Sequence, residues 1–185
     1  MKNFTLRKIT LSALLTAFAL ISFILESLFP PLILPGARMG ISNVFILLSA
    51  LILGSVYGYA TLIIKVTLGS IFSGNVSALL YSLPAGLISL TLELLLIVWT
   101  KKVSVLAGSI AGATLNITVQ NLVFCIITGY IEFLYYLPYL AVIGAVGGCI
   151  VGFIVHLIFK KVNLSFLSRY INFERENNFE QEKRS

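Results

Sequence analysis

The stretch ITLSALLTAFALISFILESLF, residues 9–29, decides the fold class. Almost without polar interruption it runs far enough, at about 1.5 Å per residue, to cross a hydrocarbon core of about 30 Å. Phe29-Pro30-Pro31 ends it, because proline lacks an amide donor and crowds the preceding turn. Similar runs follow at roughly 39–53, 57–72, 77–99, 103–128 and 134–159, the second and third of the set being short for full spans. Runs of this length exceed the ~9–11 residues of a barrel strand, and a lipid-embedded segment must satisfy its own backbone hydrogen bonds. The expected fold is therefore an all-α membrane protein, a bundle of six transmembrane helices over residues 1–161. A cytoplasmic tail, residues 162–185, is expected to begin as a surface helix and fray into disorder.

Composition agrees. Hydrophobic residues make up 58% of the chain and charged residues 11%, and the mean hydropathy is +1.01, leaving too little polar surface to coat a soluble domain. A secretory signal has one short apolar run and a cleavage site, whereas here the runs recur along the chain, so no cleaved leader is expected. The net charge of +6 comes from basic residues flanking the apolar runs, a pattern of membrane orientation and not of nucleic-acid binding. Six crossings would put Lys2, Arg7, Lys8, Lys101, Lys102, Lys160 and Lys161 on one side, which the positive-inside rule makes cytoplasmic together with both termini. Arg38 would then be alone outside.

That isolation makes Arg38, in PGARMGISN (residues 35–43), a candidate ligand contact; its bland alternative is snorkelling to headgroups. Lys65 lies inside an apolar run, where a lysine is costly enough to suggest a cavity or a partner. A structural pair with Glu93 is the competing reading. Asn116 and Gln120 are spaced i, i+4 and share a helix face, with Asn121 alongside; such amides bind polar ligands or glue helices together. Asn43 and the Ser73-Gly74-Asn75 turn fall near the outer helix ends. His156 reads as interfacial, and Cys125 and Cys149 as small hydrophobes. Gly144, Gly148 and Gly152 repeat at four-residue spacing, as do Gly108 and Gly112, so these faces admit close helix approach. Ala13 and Ala17 form a similar face on the first helix.

Catalysis by the chain alone lacks a basis. The sequence has no aspartate, no GxxxxGK phosphate loop and no histidine-based metal cluster, so no metal site and no cofactor is expected. Any ATP-driven step would need another subunit.

Four segments then carry a resemblance: LPGARMGISNVFILLSALILGS (34–55), KVTLGSIFSGN (65–75), YSLPAGLISL (81–90) and GATLNITVQNLV (112–123). In that order they resemble the family called heptaprenyl diphosphate synthase component I, or Gx transporters, over roughly residues 9–159. That family in turn looks like the S components of energy-coupling factor (ECF) transporters, six-helix proteins that capture a vitamin-like molecule from outside. The resemblance implies a multi-pass protein of the bacterial plasma membrane. It also implies a substrate-binding subunit for a small, anionic, cofactor-like ligand, energised by a transmembrane coupling subunit and two ATPases. Ala13 and Ala17 match the small-residue face that docks the coupling subunit, and the segment around Arg38 matches the loop that lids the pocket. Where relatives often carry arginine this chain has Lys65, and where they often carry His-Asn it has Leu115-Asn116. The expected site combines Arg38 and Lys65, for an anionic group, with Asn43, Asn75, Asn116 and Gln120 orienting the ligand. The alternative takes the family name literally: a membrane accessory subunit that serves a soluble prenyl transferase in polyprenyl and menaquinone synthesis. Such synthases use Asp-rich magnesium sites, so catalysis would reside wholly in the partner.

Overall fold

The computed structural model describes residues 2–28, 40–99 and 103–161. Arg38, the prolines of the 30–35 segment, Lys101, Lys102 and the 162–185 tail lie outside the described residues. Every described element is helical: α1 (Lys2–Leu28), α2 (Asn43–Leu53), α3 (Ser55–Phe72), α4 (Ser77–Leu94) with a π turn (Leu95–Trp99), α5 (Val105–Thr128), a 3-10 turn (Ile131–Tyr136) and α6 (Leu137–Lys161).

The sequence sets the breaks. Gly54 joins α2 to α3 at φ +115°, a conformation that side chains with a Cβ rarely adopt. Gly129 ends α5 in the left-handed region, its N–H returning to Cys125 O. The Ser104 hydroxyl accepts from Ala107 N at 3.2 Å and starts α5.

Contacts fix the relative directions. Thr16 meets Thr61 and Phe23 lies against Gly69, so α1 and α3 run parallel. Asn43 meets Lys65 while Ala50 abuts Gly58, so α2 is antiparallel to α3. The pairs Leu62/Gly86 and Tyr59/Thr91 make α3 and α4 antiparallel. Glu93 meets Ser109 while Gln120 meets Ser82, which reverses α5 relative to α4. Gly144, Gly148 and Gly152 lie against Thr114, Ser109 and Leu106 respectively, so α6 runs back along α5. The start of α1 and the end of α6 therefore share one end of the bundle with the Gly54 turn. The Ser73-Gly74-Asn75 turn and the 3-10 turn lie at the other.

Among the described residues, five helices are long and apolar enough to cross a membrane. The second run gives a different element from the rest: α2 has 11 residues, about 16 Å, half of what a crossing needs. It sits at the centre. Val44, Leu47 and Leu48 pack on Val151 and Val155 of α6, while Ile46 and Ala50 pack on Leu62, Val66, Leu90 and Leu94. A helix walled in by protein on this scale has no need to match the bilayer thickness. α1 is the opposite case, with Leu6, Ile9, Leu14, Phe18, Ile21 and Leu25 exposed along one side. It is held to the bundle by a hydroxyl chain, Thr16 Oγ1 to Thr61 Oγ1 at 3.1 Å and Thr61 Oγ1 donating to Ser49 Oγ at 3.2 Å. Such bonds bind helices where no water competes.

Candidate functional site

A cavity of about 80 Å³ lies among α1 to α6, and polar side chains from five of these helices reach it. Its first pole is the beginning of α2. The amides that open a helix lack intrahelical partners and carry partial positive charge. Glu26, near the end of α1, supplies the acceptors: Ser42 N donates to its Oε1 at 2.9 Å and Gly40 N to its Oε2 at 3.2 Å. Gly40 takes φ +74° here, and a Cβ on it would come within 3.1 Å of Asn43 Nδ2. The polar interruption GISN is thus the built start of a buried helix, tied across to α1.

Lys65 reaches the same pole from α3. It is 6% exposed, its Nζ donates to Asn43 Oδ1 at 3.1 Å, and it stands 5.0 Å from the centroid of the Phe23 ring, within cation–π range. Ser42 Oγ, 1% exposed, borders the cavity and has no hydrogen-bond partner among the described residues. A buried hydroxyl left unpaired is an unused donor and acceptor at this spot.

The second pole lies deeper, toward the Gly54 end. Glu93 Oε1 accepts from Ser109 Oγ at 2.7 Å. Gly112 makes room for it, since a Cβ there would stand 3.2 Å from Glu93 Oε2. Counting along the axis from the Leu62/Gly86 and Tyr59/Thr91 contacts, Lys65 and Glu93 are separated by about 12–15 Å of helical rise. Each therefore has its own local partner, and the cavity runs between them.

Of the expected site residues, the structure brings Asn43, Lys65, Asn116 and Gln120 to the cavity. Gln120 Nε2 donates to Ser82 Oγ at 3.0 Å. Asn75 is elsewhere: its Oδ1 accepts from Ala78 N at 3.2 Å and from Ser77 Oγ at 2.9 Å, which starts α4. Asn121, beside Gln120 in the fifth-helix motif, braces α5 against the 3-10 turn by donating to Phe133 O at 3.3 Å. Ala13 and Ala17 lie on the exposed side of α1. Arg38 lies outside the described residues. The sequence reading did not foresee Glu26 or the serines Ser42, Ser82, Ser89 and Ser109 at the cavity. It expected a cation-rich hollow, whereas the described lining carries one ammonium, Lys65, and two carboxyl groups, Glu26 and Glu93. The signal available was Glu26 itself, a charge inside the first apolar run.

Among the described residues no group of three or more His, Cys, Asp or Glu could hold a metal ion. The family model for heptaprenyl diphosphate synthase component I matches residues 15–158. The chain belongs to that family. The matched span contains every residue that lines the cavity, from Phe23 to Val151. Neither a curated protein nor a solved structure matches the chain.

Proposed function

We propose that the chain is the membrane-embedded, non-catalytic component of a heptaprenyl diphosphate synthase, with the prenyl-transfer chemistry in a soluble partner. Membership of the component I family over residues 15–158 carries this reading. Diphosphate chemistry of this kind calls for carboxylate-held magnesium, and the chain contains no aspartate. Its contribution is instead to hold the partner at the bilayer, where a long isoprenoid product partitions at about 0.8 kcal/mol per methylene. Arg7, Lys8, Lys160 and Lys161 belong to the bundle end shared with Gly54, and by the positive-inside rule that end faces the cytoplasm of a bacterial plasma membrane.

A second reading rests on one observation, the polar cavity lined by Lys65, Asn43, Asn116 and Gln120 inside the helices. Buried polar groups at membrane depth mark ligand or ion sites. On this reading the chain is an S component-like capture subunit. A small molecule with an anionic group meets Lys65 and Asn43, and a coupling subunit with two ATPases drives release. On this capture reading Ala13 and Ala17 form the face that docks the transmembrane coupling subunit.

Affinity purification of the tagged chain from its native membrane tests both. Recovery of a soluble prenyl transferase, with altered product length when the chain is deleted, supports the synthase reading. Recovery of a coupling subunit with ATPases overturns it in favour of capture, and recovery of neither removes both.

A further inference from the structure

The Glu93 pole has no place in the readings above. Its carboxyl comes off α4 into a recess that Gly112 leaves open, with Ser109 Oγ on Oε1. Among the described residues Oε2 accepts no hydrogen bond, and Glu93 borders the cavity. One turn nearer the Lys65 pole, Ser89 (i−4 on α4) and Asn116 (one turn beyond Gly112 on α5) border the cavity as well. A carboxyl group taken out of water with one hydroxyl as its partner either takes up a proton or receives a counter-charge that brings donors, and the open cavity beside Oε2 leaves room for the second. The oxygens on offer are few and directional, one free carboxylate oxygen, one hydroxyl and one amide carbonyl. That set matches the three N–H donors of an ammonium group better than a hard metal ion, which collects six or more oxygens.

We propose that Glu93 receives the ammonium group of a small amine, the other end of which presents acceptor or anionic groups to Lys65, Asn43 and the Ser42 hydroxyl. The ligand class is therefore an amphoteric molecule, an amine that also carries acceptor or anionic groups. This deepens the capture reading and rests on it: the cavity must be a ligand site. A diphosphate headgroup, with several negative charges, would have to sit in a lining that already carries Glu26 and Glu93.

The test uses the full chain in nanodiscs and follows thermal unfolding with methylammonium chloride as probe. Sodium chloride and tetramethylammonium chloride at equal ionic strength supply a bare cation and an ammonium without N–H donors. Methylammonium should raise the unfolding midpoint while neither control does, and Glu93→Gln should raise the half-saturating concentration by at least about tenfold. Cys149→Ser, on an exposed face, should respond like the unaltered protein. An equal response to sodium or tetramethylammonium, or an unchanged response in Glu93→Gln, overturns the assignment. Should Glu93→Gln fail to fold, Gly112→Ala serves, since its Cβ intrudes on the carboxylate and should weaken the methylammonium response. Sodium acetate, read in the unaltered protein, probes the Lys65 pole. Stabilisation by acetate and not by methylammonium overturns the Glu93 assignment alone, and stabilisation by neither overturns the cavity as a ligand site as well.

Discussion

Replacing Gly148 by alanine should loosen the bundle in a way that can be worked from the α5–α6 contact. A Cβ at this position would stand 2.5 Å from Ser109 O, 2.7 Å from Ile110 Cα and 3.0 Å from Ala113 Cβ. Two of these atoms are backbone, so no rotamer change relieves the clash. Ordinary contact begins at 3.4 Å, and α6 must therefore retreat from α5 by 0.7–0.9 Å. A gap of that size forfeits about a quarter to a half of each dispersion contact it opens. Overpacking of this kind typically costs about 1–3 kcal/mol; with backbone atoms in the way the upper end applies. Alanine returns about 1 kcal/mol through its higher helix propensity. The net expectation is about 2 kcal/mol of destabilisation, read as the shift in reversible SDS unfolding in mixed micelles. Cys149→Ala, next along the chain but exposed, should shift it by less than about 0.5 kcal/mol. Equal stabilities for Gly148→Ala and the unaltered protein would refute the close approach of the two backbones.

Three further outcomes follow from named contacts. Glu26→Ala removes both acceptors at the start of α2 and should cost about 1–2 kcal/mol; amide exchange at Gly40 and Ser42 should accelerate, and unchanged exchange would sever the link from α1 to α2. Thr61→Val keeps the side-chain shape but leaves the hydroxyls of Thr16 and Ser49 without their shared partner, an expected loss of about 1 kcal/mol in the same unfolding assay; a neutral result would show that the hydroxyl chain does not hold α1. Cysteines placed at Ser55 and Ser73, in a background lacking Cys125 and Cys149, should label from opposite sides of sealed vesicles, with Ser55 cytoplasmic; labelling from one side would contradict the assigned crossing of α3.

The sequence made the helical class legible because apolar run length alone limits what can cross a bilayer. It could not show that Asn43–Leu53 is a short central helix. Its apolar run looks like any lipid-facing one, and what distinguishes it is burial by neighbours far along the chain. Lys65, Asn43, Asn116 and Gln120 were visible as polar residues at membrane depth, where polarity is expensive. Asn75 was visible as a polar residue in a turn at the outer helix ends, yet its carbonyl is used locally to start α4. Whether a polar side chain faces a cavity or its own turn is decided by helix rotation, which a pattern without strong amphipathicity leaves open. Lys65 and Glu93 looked like candidates for one pair; only the register of α3 against α4 separates them.

What decides between the synthase and capture readings is whether the polar chamber inside the bundle holds a small molecule. Native mass spectrometry of the protein released from its own membranes in mild detergent tests it most directly, with Lys65→Met prepared in parallel. The unaltered protein should carry a small-molecule adduct that the Lys65→Met protein lacks. An adduct-free spectrum for both, or the same adduct on both, would contradict the chamber as a ligand site and leave the synthase reading standing.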